Sequence, residues 1–228
     1  MTPAQVEQSR FNMIEQQIRP WDVLDMDILD LLGRVKREDF LPPETRELAF
    51  VDTEIPLIAP QEEAMRLGKC MLPPRVEART LQDVKIQKHE NVLEIGTGSG
   101  YMAALLAHRA RSVLTLEIDP ALARIARANL QKAGLSNVEV RDADGASGAA
   151  KDGPFDVIVL SGSVASVPQA LLAQLKPGGR LFAIVGQEPM MRAHIARRVG
   201  DGRYEVTEPW DAVAPRLQNF PEPSRFQF

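Results

Sequence analysis

Apolar residues along this chain follow two patterns. From Gln5 to Ile18 they stand at Val6, Phe11, Ile14 and Ile18, and from Asp27 to Val35 at Ile28, Leu31, Leu32 and Val35. That is the spacing of one helical face, and Arg19-Pro20 ends the first stripe. Lys36 to Pro43 reads as a charged turn and Glu44 to Phe50 as a further short helix. Val51 to Pro60, broken by Pro56 and Pro60, reads as extended chain or loop. Met65 to Pro74 is irregular. Arg75 to Val84, with Val76, Leu81 and Val84, is helical again.

Beyond Asn91 the pattern changes to short apolar runs alternating with longer helical stretches. Strands are expected at Val92 to Ile95, Ser112 to Glu117, Asn137 to Arg141, Phe155 to Leu160, Arg180 to Val185 and Arg203 to Glu208. Helices are expected from Tyr101 to His108, from Asp119 as N-cap and Pro120 to Ala133, from Val167 to Leu175, and from Met190 to Val199. Gly134 stops the second of these, and Lys176-Pro177-Gly178-Gly179 reads as a turn. Phe155 to Leu160 is apolar except for Asp156, as a strand covered on both faces should be. This alternation predicts right-handed crossovers and a doubly wound, mostly parallel α/β sheet. Residues 1–74 form an N-terminal helical cap with a connecting loop, and 75–228 the sheet domain with a C-terminal extension. Prolines at Pro209, Pro215, Pro221 and Pro223 leave the end of that extension without an assigned element.

In such sheets ligands bind beyond the carboxyl ends of the strands. That rule selects Gly96 to Gly100 after the first strand, Glu117 after the second, Asp142 and Asp144-Gly145 after the third, and Ser161-Gly162-Ser163 after the fourth. The first is the most informative. Glu94-Ile95-Gly96-Thr97-Gly98-Ser99-Gly100 places three glycines at alternate positions between a strand and a helix. Bare backbone can lie against a ligand there, at the positive end of the helix dipole. The dinucleotide fingerprint Gly-x-Gly-x-x-Gly fails because Tyr101 stands at its third glycine, and no Gly-Lys-Ser/Thr follows to make a phosphate loop. Glu117 ends its strand as an acceptor-only carboxylate, suited to both hydroxyls of a ribose. Asp144 can reach an adenine amino group, with Gly145 leaving room for the ring.

Composition narrows the class. Of 228 residues, 44% are hydrophobic and 25% charged, ordinary values for a folded soluble chain. A net charge of −4 provides no basic field for nucleic acid, so no nucleic-acid partner is expected. No stretch reaches membrane-spanning length and no signal-peptide core opens the chain, which gives an expectation of a cytoplasmic protein without a membrane partner. The single cysteine, Cys70, permits no internal disulfide. His89, His108 and His194 are scattered without a second ligand at metal spacing, so no metal is expected. No Gly-x-Ser-x-Gly elbow appears, and no Cys/His pairing can be read.

The glycine motif, with Glu94 two residues before it, resembles the first motif of class I S-adenosylmethionine-dependent methyltransferases. Five stretches together resemble protein-L-isoaspartate O-methyltransferases: Glu15 to Ile18, Val35 to Pro42, Val92 to Tyr101, Asp144-Gly145, and Gln174 to Arg180. The resemblance reaches to about Gly186 and includes the cap. It implies S-adenosylmethionine as methyl donor and protein or peptide substrates carrying isoaspartyl sites. It also implies a cofactor site of Glu94, Gly96, Thr97, Gly98, Ser99, Gly100, Glu117, Ile118, Asp144 and Gly145.

One loop departs from that family. Its Gly-Gln-Thr-Ile-Ser-x-Pro is here Gly68-Lys69-Cys70-Met71-Leu72-Pro73-Pro74, so Cys70 stands for the threonine and Leu72 for the serine. Its Thr-Ala-Ala after the fourth strand is Ser161-Gly162-Ser163. Cys70, Leu72 and Ser161 are therefore the acceptor-side positions, with Lys69 and Met71 beside them. Two other readings stay open: the same donor with a different acceptor, and a non-catalytic S-adenosylmethionine-binding protein.

Overall fold

The computed structural model describes residues 1–222; Pro223, the last of the tail prolines, lies outside them. Helix α1 (Pro3–Met13) opens with a capping box between Thr2 and Gln5, and its chain runs on through a π turn at Ile14–Ile18 and a 3₁₀ turn at Arg19–Trp21. Helix α2 (Met26–Arg34) is capped by Asp25, whose carboxylate accepts from the Asp27 and Ile28 N–H groups. Short 3₁₀ turns follow at Arg37–Phe40 and Arg46–Phe50. The irregular stretch before the sheet resolves into β1 (Ile55–Pro56), α3 (Gln61–Arg66) and β2 (Cys70–Met71), with β1 and β2 paired antiparallel. Helix α4 (Pro74–Val84) leads into the sheet.

The sheet contains β3 (Asn91–Ile95), β4 (Ser112–Glu117), β5 (Val138–Asp142), β6 (Phe155–Val164), β7 (Leu175–Gln187), β8 (Met190–Gly200) and β9 (Arg203–Thr207). Its order is β5-β4-β3-β6-β7-β8-β9, parallel from β5 to β7 and antiparallel for the last two. Helices α5 (Tyr101–Arg109) and α6 (Pro120–Lys132) make the crossovers β3-to-β4 and β4-to-β5. Asp119 caps α6 as expected, accepting from the Ala121 N–H. Order reverses at β3, which has β4 on one side and β6 on the other. The crevice at that reversal is where a doubly wound sheet holds its ligand.

Strand residues alternate between two cores. Val92, Val157 and Val159 face one that runs without a break into the cap (Met13, Ile18, Leu31) and into α4 and α5. Leu93, Ile95, Ile158 and Leu160 face the other, which is covered by the single turn α7 (Gln169–Leu172), the 143–149 loop and Phe220. The uninterrupted apolar runs of β3 and β6 follow from having both faces covered.

Two expectations need correction. Met190 to Val199 is not a helix but strand β8, paired with β7 from Arg180↔Arg197 to Gln187↔Met190. Met, Ala and Arg favour helix locally, but a neighbouring apolar strand offers a full ladder, and tertiary pairing overrides propensity. Met191 and Ala193 are buried while Arg192 between them is exposed, a two-residue period that the run of good helix formers masks. The helix expected over Val167 to Leu175 shrinks to α7. Lys176–Gly179 is a bulge at the head of β7, where the register moves from Phe155↔Leu175 to Val157↔Arg180.

Candidate active site

Two cavities open side by side at the carboxyl ends of the parallel strands. One holds about 650 Å³ and is walled by Gly96, Gly98, Glu117, Ile118, Asp144 and Gly145 among others. The second, about 460 Å³, has Met71, Leu72, Glu77, Thr97, Ser99 and Tyr101 in its wall. Cys70, Gly96, Gly98 and Ser161 border both, so the spaces meet at the glycine loop.

The loop requires its glycines. Gly96, Gly98 and Gly100 have φ of +92°, +54° and +85°, values that a side chain disfavours. Gly98 N–H donates to Glu117 Oε2 at 2.8 Å, and Asp119 N–H donates to Glu117 Oε1 at 3.0 Å. The carboxylate is thus fixed at the strand end before any ligand arrives. Burial raises its pKa above the ordinary value, opposed by these two N–H groups.

Asp144 accepts from Ala146 N–H at 2.9 Å and from Asn219 Nδ2 at 2.8 Å. At Gly145 the missing side chain makes room for Ile95 rather than for a ligand alone: a Cβ would lie 2.3 Å from Ile95 Cγ2. Gly100 faces α6, where a Cβ would crowd Leu130 and Ala126.

Glu94 stands behind the loop, fully buried, and walls neither cavity. It accepts from Thr115 Oγ1 at 2.7 Å and Ser161 Oγ at 2.8 Å, and Thr115 Oγ1 shares a 2.6 Å hydrogen bond with Thr97 Oγ1. Burial pushes its pKa to about 8 against those hydroxyls, so the carboxyl keeps its proton at neutral pH. Its place in the site is to tie the glycine loop, β4 and the end of β6 together.

Of the residues expected on the acceptor side, Cys70 and Leu72 come from the chain that joins the cap to α4, and Ser161 from β6. Cys70 lies on the β1–β2 hairpin. Burial first, then the Glu54 and Glu77 carboxyls and a hydrogen bond to Glu54, push its thiol up to about 12, so no thiolate nucleophile exists there. Lys69 reaches across to Asp119 at 2.6 Å, joining the hairpin to the cofactor-side strand end. Leu72 gives its carbonyl to Arg37 Nη2 at 2.6 Å, and Arg37 Nε donates to Ala49 O at 3.1 Å. The rest of the Arg37 guanidinium pairs with Glu77, and its plane lies over the Tyr101 ring at 5.4 Å. Arg37 is 1% exposed, a buried charge serving the cap, the hairpin connection, α4 and the glycine-loop helix at once. Burial raises Glu77 to about 7, and Arg37 opposes that shift.

Sequence reasoning missed Arg37, Glu77 and Tyr101 as site residues. The available signal was in α4, where Glu77 falls on the same helical stripe as Thr80, Leu81 and Val84, a charge on the buried face. Among the described residues no group of three potential metal ligands comes together, and no helix is long and apolar enough to cross a membrane.

A glycine loop at the sheet's point of reversal, with one carboxylate fixed at the next strand end and another beyond, defines a Rossmann-like class I methyltransferase. A solved protein-L-isoaspartate O-methyltransferase has the same fold (TM-score 0.76, 24% identity, 90% of this chain), and this chain spans 65% of that one. A Plasmodium falciparum structure, described as a beta-aspartate methyltransferase in complex with S-adenosyl-L-homocysteine, matches over 93% of this chain and 97% of its own (TM-score 0.74, 16% identity).

The family model for protein-L-isoaspartate(D-aspartate) O-methyltransferase matches residues 8–213, and the chain belongs to that family. The Koribacter versatilis protein-L-isoaspartate O-methyltransferase is 34% identical over 199 residues, 87% of this chain and 86% of that protein. The Myxococcus xanthus protein of the same name is 38% identical over 183 residues, 78% and 82% of the two chains.

Proposed function

We propose that this protein methylates the side-chain carboxylate of isoaspartyl residues in proteins and peptides, with S-adenosylmethionine as donor. The observation that carries the donor reading is Glu117, held by the Gly98 and Asp119 N–H groups in the wall of the larger cavity with lone pairs left for a vicinal diol. Ile118 lies beside it, and Asp144 with Gly145 stands at the far wall for the adenine. Gly96 and Gly98 offer bare backbone on the path into the second cavity, where Thr97 and Ser99 are placed.

When bound, the donor would supply a methyl group activated on a sulfonium; a carboxylate oxygen would take that methyl in line as the C–S bond breaks, leaving the neutral thioether S-adenosylhomocysteine. An isoaspartyl carboxylate is already ionised at neutral pH, so no general base is needed. Positioning is then the protein's main contribution, and it can be worth about 7–11 kcal/mol. Cys70 and Ser161 border the meeting point of the cavities, Leu72 lines the smaller one, and these three are the acceptor-side residues. The protonated Cys70 thiol and the apolar Leu72 exclude water there. Lys69 latches the hairpin over the site through Asp119.

The apolar Leu72 supports a second reading, the same donor with another acceptor. A radiolabelled methyl-transfer assay with isoaspartyl and matched aspartyl peptides separates the two. Label on the isoaspartyl peptide alone is expected. Absence of label with intact S-adenosylhomocysteine binding transfers the assignment to the other acceptor class.

A further inference from the structure

The segment after Ala214 lies outside the family match, which ends at residue 213, yet it runs straight across the site. Pro215 O accepts from Ser163 N–H at 2.8 Å and Leu217 N–H donates to Ser163 O at 2.9 Å, adding a short parallel bridge to the end of β6. Arg216 Nη2 anchors it to Gly186 O at 2.9 Å, and Phe220 is buried in the core beneath the 143–149 loop. Leu217 and Phe220 enter the wall of the larger cavity.

Three glycines, two on loops and one in β6, accommodate this segment. A Cβ on Gly68 would lie 2.8 Å from Pro215 Cβ, one on Gly96 2.9 Å from Leu217 Cδ2, and one on Gly162 2.8 Å from Leu217 Cγ and Cδ2. Gly162 is the position where the family resemblance leads one to expect alanine. The departure has a physical reason here, since an alanine Cβ would crowd the Leu217 side chain and the Pro215 carbonyl and force them to shift. At the end of the bridge Asn219, at φ +63°, donates its amide to Asp144 Oδ2 while Ala146 N–H holds the other oxygen.

We propose that residues 215–220 are a working wall of the cofactor cavity, in which Asn219 is a positioning residue for Asp144 and Leu217 shapes the floor beside Gly96. The inference rests on the placement of adenine at Asp144 given above. A carboxylate clamped from both sides presents its remaining lone pairs in a fixed direction, and such an acceptor selects an amine over a carbonyl. Inosine presents a carbonyl at C6 where adenine has its amine and carries a proton on N1 where adenine has none, so a clamp aimed at the C6 substituent meets an acceptor in place of a donor.

Titration calorimetry with S-adenosylhomocysteine and S-inosylhomocysteine tests this. Asn219→Gly keeps the left-handed backbone free of strain and removes only the amide. It should weaken the adenine ligand about five- to tenfold and the inosine ligand less than twofold, shrinking the preference. Asn219→Asp, which sets a second carboxylate beside Asp144, should shrink it further. Leu217→Ala should weaken both ligands alike. Equal weakening of the two ligands in Asn219→Gly, or no change at all, overturns the positioning role. Failure of the unmodified protein to bind S-adenosylhomocysteine would instead remove the donor reading itself.

Discussion

The two cavities share one border and are built in opposite ways. The larger is made of loops at successive strand ends, and its key carboxylates are oriented by backbone N–H groups or by a neutral amide. The smaller is made where the cap, the β1–β2 hairpin and α4 meet, and its order depends on buried charges, above all Arg37 with Glu77. A site fixed by backbone tolerates change in the surrounding side chains. A site fixed by a buried ion pair fails when either partner is removed, because the other charge is left in the interior without compensation.

The largest expected difference follows from that contrast. Arg37→Ala should cost about 3–5 kcal/mol in denaturant unfolding, since it leaves the buried Glu77 carboxyl and the Leu72 and Ala49 carbonyls without their donor. A loss under 1 kcal/mol would mean that the cap does not depend on this pair. Next, Glu117→Ala should weaken S-adenosylhomocysteine binding about a hundredfold by calorimetry, the scale of two charge-assisted hydrogen bonds. Stability should fall much less, and a large loss of both would erase the distinction between the two constructions.

Glu94 gives the third test. Its pKa of about 8 in the fold lies above the ordinary 4.5, so the folded state holds the extra proton between those values. Its contribution is complete below about pH 4.5 and is lost as pH rises through 8. Glu94→Gln removes this dependence, and between pH 5 and 8 the unmodified protein should lose about 3.5 kcal/mol more than the variant in parallel denaturant series. Parallel curves would place an ionised carboxylate behind the loop. Smallest is the acceptor side: Cys70→Thr with Leu72→Ser restores two hydroxyls and should lower KM for an isoaspartyl peptide about tenfold, leaving cofactor affinity within twofold. An unchanged KM would show that those hydroxyls do not touch this acceptor.

The same contrast explains what was legible in the sequence. The strand-end residues of the larger cavity follow one another in chain order because strand–loop–helix units deliver them in turn, so Gly96 to Gly100, Glu117 and Asp144 could be picked out from strand ends alone. The parallel part of the sheet was legible for the same reason, as each strand carries its own apolar run. Arg37 and Glu77 are 40 positions apart; Arg37 reads locally as a solvated charge, and Glu77, though on the apolar stripe of α4, carries no local sign of its partner. Only packing of the cap on α4 brings them together. Strand β8 was hidden because its residues favour helix and only the partner β7 makes it a strand. Asn219 and Leu217 lie in a proline-rich tail whose order comes from the loops it covers.

The lone cysteine has a use that follows from its surroundings. A thiol held in its protonated form by burial and neighbouring carboxyls is nearly inert toward alkylating reagents while the hairpin stays seated. Peeling Cys70 away from Glu54 would restore ordinary reactivity. The rate at which iodoacetamide tags this single sulfur therefore serves as a native clock for hairpin opening, with no probe to be engineered into the chain.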